Sequence, residues 1–192
     1  MQHRRQALIE RANLIVLAAM SAGWGSAVVL FWLQVLGPLR PTGAPAAPLP
    51  SAAGALFWFA VCFAPRAFPP GYFRPRPWEM RLYERLGVLV FRRFATNGDL
   101  INGWVRRHDP AYRILRGRAS LHAYVAGTVQ GEVGHSVLLL LGLITAVYAA
   151  RIGWTGWAAY LAGTNILFNL YPILLQRYTR ARLALITGRF EA

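Results

Sequence analysis

A glutamate and a histidine stand three residues apart at the start of an apolar run, in "QGEVGHSVLLLL". This spacing places the side chains of Glu132 and His135 on one face of a helix. An imidazole can take a proton from a hydroxyl as a general base, and a neighbouring carboxylate can orient its ring. The alternative is structural: Glu132 favours the positive end of a helix dipole, and His135 is an interfacial polar residue. Glu-x-x-His is also a metal-ligand spacing, but the chain has no matching second pair, so we expect no metal.

Two asparagines and a proline interrupt a later apolar run, "TNILFNLYPILL". Asn165 and Asn169 are four residues apart and share a helix face, and Pro172 and Gln176 fall near the same stripe. Polar side chains at membrane depth usually face a protein interior or a water-filled cavity. Pro172 lacks an amide hydrogen, so we expect a kink and a freed carbonyl near Phe168. The alternative is ordinary hydrogen bonding between helices.

Three arginines follow this run directly, in "QRYTRARL". Arg177, Arg180 and Arg182 carry planar guanidinium groups, which bind phosphate through paired hydrogen bonds. One interpretation is therefore a clamp for the anionic part of a substrate, with Tyr178 beside it. The other is the charged flank that ordinarily follows a membrane helix.

The composition indicates one small membrane-embedded domain over residues 1–192. Of the residues, 56% are hydrophobic, mean hydropathy is +0.35 and the net charge is +14. The hydrophobic fraction and the mean hydropathy are too high for an ordinary soluble domain of this length. All 21 basic residues are arginine, which fits phosphate binding and equally fits the codon bias of a GC-rich genome. Cys62 is the only cysteine, so no disulfide framework is possible within the chain.

Four apolar stretches predict an all-α integral membrane protein with about four transmembrane helices, at 13–37, 52–64, 133–150 and 157–175. The first is longer than the apolar part of a cleaved signal peptide, so we expect it to be retained. The second has 13 residues, which is short for a ~30 Å hydrocarbon layer. It crosses only with a tilt or with help from its proline-rich ends, and a re-entrant segment is the alternative.

The arginine distribution supports four crossings of the cell membrane. Nineteen arginines lie in the N-terminal, central and C-terminal segments, and only Arg40 and Arg151 lie in the two other connections. Four crossings place the arginine-rich segments on one side, which the positive-inside rule makes the cytoplasm. Both termini are then cytoplasmic. Since the arginines follow membrane topology rather than one soluble basic face, we expect no nucleic-acid partner.

The central segment, 65–131, is predicted to lie in the headgroup layer on the cytoplasmic side. Within "RPWEMRLYERLGVLVFRRF", Leu82, Leu86, Leu89 and Phe94 recur at helical spacing, with arginines largely elsewhere. This pattern indicates an amphipathic helix suited to a membrane surface. Glu79 falls in its first turn, where the helix dipole favours an acid.

These stretches resemble the glycosyl-4,4′-diaponeurosporenoate acyltransferase family. "NLYPILLQRYTRARL" is similar to the family's C-terminal Asn, Pro and Q-R-Y-x-R-x-R-L signature, and Glu132 with His135 is similar to its Glu-x-x-His at the preceding apolar helix. Tyr72-Phe73-Arg74 and Trp78-Glu79 are similar to its upstream part. The resemblance covers about residues 72–183, and the proline-rich loop at 37–51 has no counterpart.

The resemblance implies transfer of a fatty acyl group onto a sugar hydroxyl of a glycosylated carotenoid acid, as in staphyloxanthin-type synthesis. His135 and Glu132 would be catalytic. The implied partners are membrane lipids, a lipid-soluble glycosylated acceptor and an acyl donor such as acyl-CoA, with no further cofactor. The expected substrate-binding residues are Trp78, Glu79, Asn165, Asn169, Gln176, Arg177, Tyr178, Arg180 and Arg182.

Two other functions remain open at this point. One is a non-catalytic membrane subunit that stabilises a larger complex through its helices. The other is an acyltransferase with a different acceptor, such as a glycolipid. The sequence leaves the oligomeric state open.

Overall fold

The computed structural model describes residues 2–40, 42, 46–110, 112 and 118–188. Over these ranges the chain forms helices and no strand, which confirms the all-α class. Arg113, Arg116 and Arg189, counted above among the cytoplasmic arginines, lie outside the described residues. The helices are α1 (Gln2–Leu36), α2 (Ala52–Cys62), α3 (Glu79–Arg85), α4 (Val88–Phe94), α5 (Asp99–His108), α6 (Arg118–Arg151), α7 (Thr155–Asn165) and α8 (Tyr171–Thr187).

Three helical stretches in the described part of the chain are long and apolar enough to cross a membrane: Ile9–Leu36, Ser120–Arg151 and Thr155–Thr187. They contain most or all of the first, third and fourth expected spans. The second expected span coincides with α2, which has 11 residues. At 1.5 Å per residue this helix is about 16 Å long, well short of the hydrocarbon layer. Helix length therefore supports three spans, and the crossing of the second stretch stays a prediction.

The limits of α2 follow from its flanking residues. Ser51 caps its N-terminus, and the Ser51 hydroxyl accepts a hydrogen bond of 3.1 Å from the Gly54 amide. After Cys62 the chain continues in two 3₁₀ turns, Ala64–Ala67 and Pro70–Phe73, each with a proline near its start. Proline is favoured at the first position of a helical turn and disfavoured further inside, so these residues end the α-helix.

The chain divides into two compact units, and the first consists of residues 1–20, 69–132 and 171–192. Its core is formed by Tyr83, Val88 and Tyr178, so that α3 and α4 pack on α8. The predicted amphipathic helix is broken at Gly87, which adopts a left-handed φ of 79°. A residue without Cβ tolerates this conformation, and Tyr171 Oη donates to the Leu86 carbonyl beside it at 2.9 Å.

A pair of hydrogen bonds joins the N-terminal segment to the turn after α4 within the first unit. Asn13 Nδ2 donates to Asn97 Oδ1 at 2.8 Å, and the Asn97 amide donates to Asn13 Oδ1 at 2.6 Å. Asn97 has a positive φ of 53°, which asparagine tolerates better than most residues. The described arginines of the N-terminal, central and C-terminal segments belong to this unit, except Arg66, which lies outside it.

The second unit consists of residues 21–68 and 133–170. Its hydrophobic core centres on the Phe31 ring, which meets Trp154 and Trp157 edge to face at centroid distances of 5.9 and 5.8 Å. Trp157 Nε1 also donates to Gln34 Oε1 at 2.8 Å. The remaining buried core residues are Ala27, Val35, Ala146, Ala149 and Leu161.

Candidate active site

Glu132 lies on α6 in the first unit and has no exposed surface. Both of its carboxylate oxygens are bound by arginines of α8. Arg177 Nη1 donates to Oε1 at 3.1 Å, and Arg180 Nη2 donates to Oε2. A buried carboxylate needs such partners, because an unpaired charge in an apolar interior is strongly unfavourable.

Arg180 is 3% exposed, and three of its nitrogens have partners. Besides Glu132, Nε donates to the Phe73 carbonyl at 3.1 Å and Nη1 donates to Thr128 Oγ1 at 3.3 Å. The Thr128 hydroxyl in turn donates to the Val125 carbonyl at 2.6 Å. Arg180 therefore joins α6 and α8 to the 3₁₀ turn that precedes α3.

Arg177 extends this arrangement to Tyr72 and Glu79. Its Nη2 donates to the Tyr72 carbonyl at 2.8 Å, and its guanidinium carbon lies 4.8 Å from the Tyr72 ring centroid, a cation–π distance. The same Nη2 lies 3.6 Å from Glu79 Oε1. Glu79 is 3% exposed, and within the described residues its Oε2 atom has no hydrogen-bond partner.

We refer to Glu79, Glu132, Arg177 and Arg180 as the carboxylate–arginine cluster. Its two carboxylates and two guanidinium groups balance in formal charge. A phosphate that binds Arg177 or Arg180 here must therefore compete with Glu132 for their donors. As found, the cluster is built to join three helices.

Tyr83 shows the electrostatic effect of the same cluster. Burial, and to a lesser extent the nearby Glu79 carboxylate, raise the pKa of Tyr83 to about 12, while Arg177 acts in the opposite direction. Both main causes disfavour an anionic phenolate. The phenol therefore stays neutral through the physiological pH range.

His135 lies on α6 in the second unit, and the partner that the structure gives it is Asn169. Its Nδ1 atom is 3.3 Å from Asn169 Oδ1. Asn169 Nδ2 donates to Asn165 Oδ1 at 2.8 Å, and Asn165 Nδ2 donates to the Leu139 carbonyl at 2.9 Å. Both asparagines are buried. We refer to His135, Asn165 and Asn169 as the amide–imidazole cluster.

The orientation of the Asn169 amide decides the tautomer of His135. With Oδ1 toward the ring, Nδ1 carries the proton and Nε2 is left as the base. With the amide reversed, its oxygen accepts from Trp24 Nε1 at 2.9 Å and its nitrogen donates to the Phe168 carbonyl at 3.2 Å, but that oxygen then faces Asn165 Oδ1 at 2.8 Å. The acceptor Asn165 Oδ1 and the donor Trp24 Nε1 thus face the same end of the Asn169 amide, and each orientation satisfies only one of them.

Asn169 lies in a π-helical segment, Ile166–Leu170, immediately before α8. Pro172 has no amide hydrogen to give the Phe168 carbonyl, the i−4 position of an α-helix. The sequence predicted a kink here, and the structure shows a change of helical hydrogen-bonding pattern. Such π segments occur often at functional sites.

Two glycines of α6 leave room for the side-chain amides of Asn165 and Gln176. Neither glycine was predicted from the sequence. A Cβ at Gly142 would lie 2.6 Å from Asn165 Cγ, and a Cβ at Gly131 would lie 2.8 Å from Gln176 Nε2. Their sequence signal is a glycine inside an apolar helix, which often marks a close approach. Trp24 and Thr128 were also missed, and nothing in their local sequence points to a site.

The expected site residues thus fall into separate groups. Glu79, Glu132, Arg177 and Arg180 meet in the first unit, and His135, Asn165 and Asn169 meet in the second. Tyr178 is buried, and its hydroxyl donates to Glu84 Oε1 at 3.2 Å. Trp78 and Arg182 are exposed. Glu132 and His135 are three residues apart on one helix but have different partners, so an orienting role of Glu132 toward His135 stays a prediction.

Comparison with protein families finds a match over residues 69–189 to the family described as glycosyl-4,4′-diaponeurosporenoate acyltransferase. The matched region contains every expected site residue. Comparison with curated proteins and with solved structures found no match.

Proposed function

This chain belongs to the glycosyl-4,4′-diaponeurosporenoate acyltransferase family and is an acyltransferase, and we propose that its acceptor is a sugar hydroxyl of a glycosylated carotenoid acid or a related glycolipid. The acyl group would come from a donor such as acyl-CoA. A polyene or lipid acceptor and a fatty acyl chain both dissolve in a bilayer, which fits a protein with three long apolar helices.

The observation that best supports the chemistry is the amide–imidazole cluster. A histidine and two buried asparagines occur inside helical stretches that are long and apolar enough to cross a membrane, where polar side chains are rare and usually functional. The orientation that places Asn169 Oδ1 on His135 Nδ1 leaves Nε2 free to accept a proton. His135 is therefore the proposed general base.

In the proposed reaction, His135 Nε2 removes the proton of the acceptor hydroxyl as its oxygen attacks the acyl carbonyl carbon. A carbon–oxygen bond forms and the carbon–sulfur bond of the thioester breaks. The leaving thiolate takes the proton back from the imidazolium, so the base is regenerated. Asn169 would hold the ring in the required tautomer.

The carboxylate–arginine cluster would serve to hold the segments of the first unit together. Its contacts join α8 to α6 and to the 3₁₀ turn before α3, and Arg177 also lies 3.6 Å from Glu79 of α3. Arg182 is exposed and is not part of the cluster, so it is the arginine best placed to bind the anionic portion of a donor. Binding of that anion by Arg177 and Arg180 requires release of Glu132.

We also propose that the chain crosses the cell membrane four times with both termini in the cytoplasm. The composition of the first unit supports this topology, because it holds the described arginines of the three arginine-rich segments apart from Arg66. Arg40 and Arg151 fall in the second unit, together with Arg66. The second crossing would then use α2 together with the 3₁₀ turn Ala64–Ala67 after it.

Mass spectrometry of pigments and lipids from a deletion strain tests the proposed function. We expect the strain to accumulate a glycosylated acceptor that lacks its acyl group, and the wild-type chain to restore the ester. Restoration by the His135→Ala variant at equal protein level would contradict the proposed mechanism. An unchanged pigment and lipid profile in the deletion strain would contradict the function itself.

A further inference from the structure

A cavity of about 360 Å³ lies within the first unit, between the turn after α4 and the helices α6 and α8. This volume is at the lower end of the range for small-molecule sites, which suits one ring or a small headgroup. The lining is mostly polar, and the residues that bear on its chemistry are Arg92, Thr96, Tyr124, Thr128, Gln176 and Thr179.

The cavity offers uncompensated hydrogen-bonding groups. Within the described residues, no hydrogen-bond partner is found for the Gln176 amide, the Tyr124 hydroxyl or the Thr96 hydroxyl. An amide supplies both donors and an acceptor, and a hydroxyl supplies one donor and two acceptors. The cavity therefore presents mixed donors and acceptors.

The charge of the cavity argues against a phosphate. Among the described residues Arg92 is the one cation that lines it, and both its Nε and Nη2 atoms lie 3.0 Å from Asp99 Oδ2. A dianion would meet a guanidinium whose charge is already compensated. The pairing of Arg92 with Asp99 does not weaken the binding of a neutral polyol, because a polyol needs hydrogen bonds rather than a free cation.

We propose that this cavity binds the sugar ring of the acceptor, with the Gln176 amide as its main hydrogen-bonding group. This proposal rests on the proposed function and assigns the acceptor headgroup to a place in the first unit. The site is adjacent to the carboxylate–arginine cluster, because Thr128 lines the cavity and accepts from Arg180 Nη1.

Gly131 fixes the position of Gln176 beside this cavity. A Cβ at Gly131 would lie 2.8 Å from Gln176 Nε2 and 3.2 Å from Gln176 Cδ, so alanine displaces the amide. The contact is with the far end of a flexible side chain, so the displacement leaves the backbone in place. Gly134 is the matched control on the same helix, since a Cβ there meets nothing within 4 Å.

Photolabelling of the purified full-length chain in a sugar-free detergent tests the site. The probe is an octyl β-D-glucoside that carries a diazirine next to the sugar, used below its micelle concentration. The comparison probe is an octyl phosphate with the same diazirine. We expect the glucoside to label peptides that contain residues 123–128 or 175–179, and unlabelled octyl glucoside to compete.

Loss of one neutral hydrogen bond weakens binding about three- to tenfold. We expect Gln176→Leu, Tyr124→Phe and Gly131→Ala each to lower glucoside labelling by that amount. Gly134→Ala should leave it unchanged, as should Thr164→Val, a polar-to-apolar control in the second unit. Equal labelling of Gln176→Leu and wild type, or stronger labelling of the same peptides by octyl phosphate, would overturn the sugar site.

The same samples separate this proposal from the enzyme function. If the glucoside labels a chain that transfers no acyl group, the result would support the sugar site and contradict the proposed reaction. Acyl transfer without labelling of these peptides would overturn the sugar site and leave the reaction standing.

Discussion

Arg180 of α8 donates to the carboxylate of Glu132 of α6, and both side chains are buried. The two residues are 48 positions apart in the sequence. A pair of this kind is held by its surroundings, since each charge would be strongly unfavourable in the same place without the other. The contact explains why the most distinctive motif of the chain, "QRYTRARL", need not bind a ligand with all of its arginines.

The Glu132–Arg180 pair is expected to control stability. Breaking a buried ion pair by removal of one partner typically destabilises a protein by about 3–5 kcal/mol. We therefore expect Glu132→Ala and Arg180→Ala each to lower the free energy of unfolding by roughly that amount, measured by titration with sodium dodecyl sulfate in mixed micelles. The double variant should lose less than the sum of the two.

A double-mutant cycle gives the decisive comparison. Contacting charged residues show coupling energies of about 0.5–3 kcal/mol, and distant sites show almost none. Arg11, which is exposed on α1, supplies the control, and its change to alanine should add independently to Glu132→Ala. A coupling near zero between Glu132 and Arg180 would contradict the buried pair.

Arg182 is expected to affect the acyl donor more than it affects stability. Because its side chain is exposed, Arg182→Ala should leave unfolding unchanged. Loss of a charge-assisted hydrogen bond to a donor phosphate should raise the apparent KM for acyl-CoA about tenfold, less at high salt. Arg11→Ala is again the control. If Arg182→Ala also leaves the KM unchanged, Arg182 belongs to the ordinary charged flank of a membrane helix.

The helices were largely predictable from sequence because hydrophobic length and periodicity are local signals. The first, third and fourth apolar stretches appear as long helices, and α3 and α4 form within the segment that was predicted to be helical. The position of this segment in the headgroup layer stays a prediction. The break at Gly87 was missed, although an isolated glycine in a helical pattern lowers its helix propensity. The second stretch was predicted to be short for a crossing, and α2 in the structure is likewise too short to span the hydrocarbon layer by itself.

The partners of the site residues could not be predicted in the same way. Spacing on one helix placed Glu132 beside His135, but tertiary packing gave Glu132 to Arg177 and Arg180 and gave His135 to Asn169. These pairs are 34 to 48 residues apart, and no local rule selects among several arginines and amides. The i, i+4 pair Asn165 and Asn169 is the exception, since one helical segment brings both side chains together.

Topology can be measured directly. Reporter fusions after Ala47 and at the C-terminal end should report opposite sides of the membrane, because four crossings place the loop outside and the terminus inside. A third fusion after His108 should agree with the C-terminal one. Agreement between the Ala47 and His108 fusions would mean that α2 does not cross.

Gly142 should be intolerant of a methyl group. A Cβ there would lie 2.6 Å from Asn165 Cγ, and Asn165 is held by its hydrogen bond to the Leu139 carbonyl. Overpacking of this kind typically destabilises by about 1–3 kcal/mol. We expect Gly142→Ala to lower the free energy of unfolding by that amount.

Gly134→Ala is the matched control for Gly142→Ala. It lies on the same helix with open space around the added atom. Alanine is the better helix former by about 1 kcal/mol, so this variant should be neutral or slightly stabilising. Equal responses at the two positions would contradict the close packing of Asn165 on α6.

His135 is expected to act as a general base, with Asn169 as its orienting partner. General-base catalysis typically contributes about 10²–10⁴-fold, so His135→Ala should lower turnover by at least the smaller figure while the protein still folds and binds donor.

Asn169→Leu should also lower turnover, because the His135 ring loses the group that sets its tautomer. Asn169→Asp restores an acceptor toward Nδ1 and should recover part of the loss, which a purely structural asparagine would not predict. Product formation in membranes, normalised to protein level, measures all three. His122→Ala serves as the control, since His122 is an exposed histidine of α6. Near-normal turnover in His135→Ala would show that another group removes the proton, and equal losses in Asn169→Leu and Asn169→Asp would remove Asn169 from the mechanism.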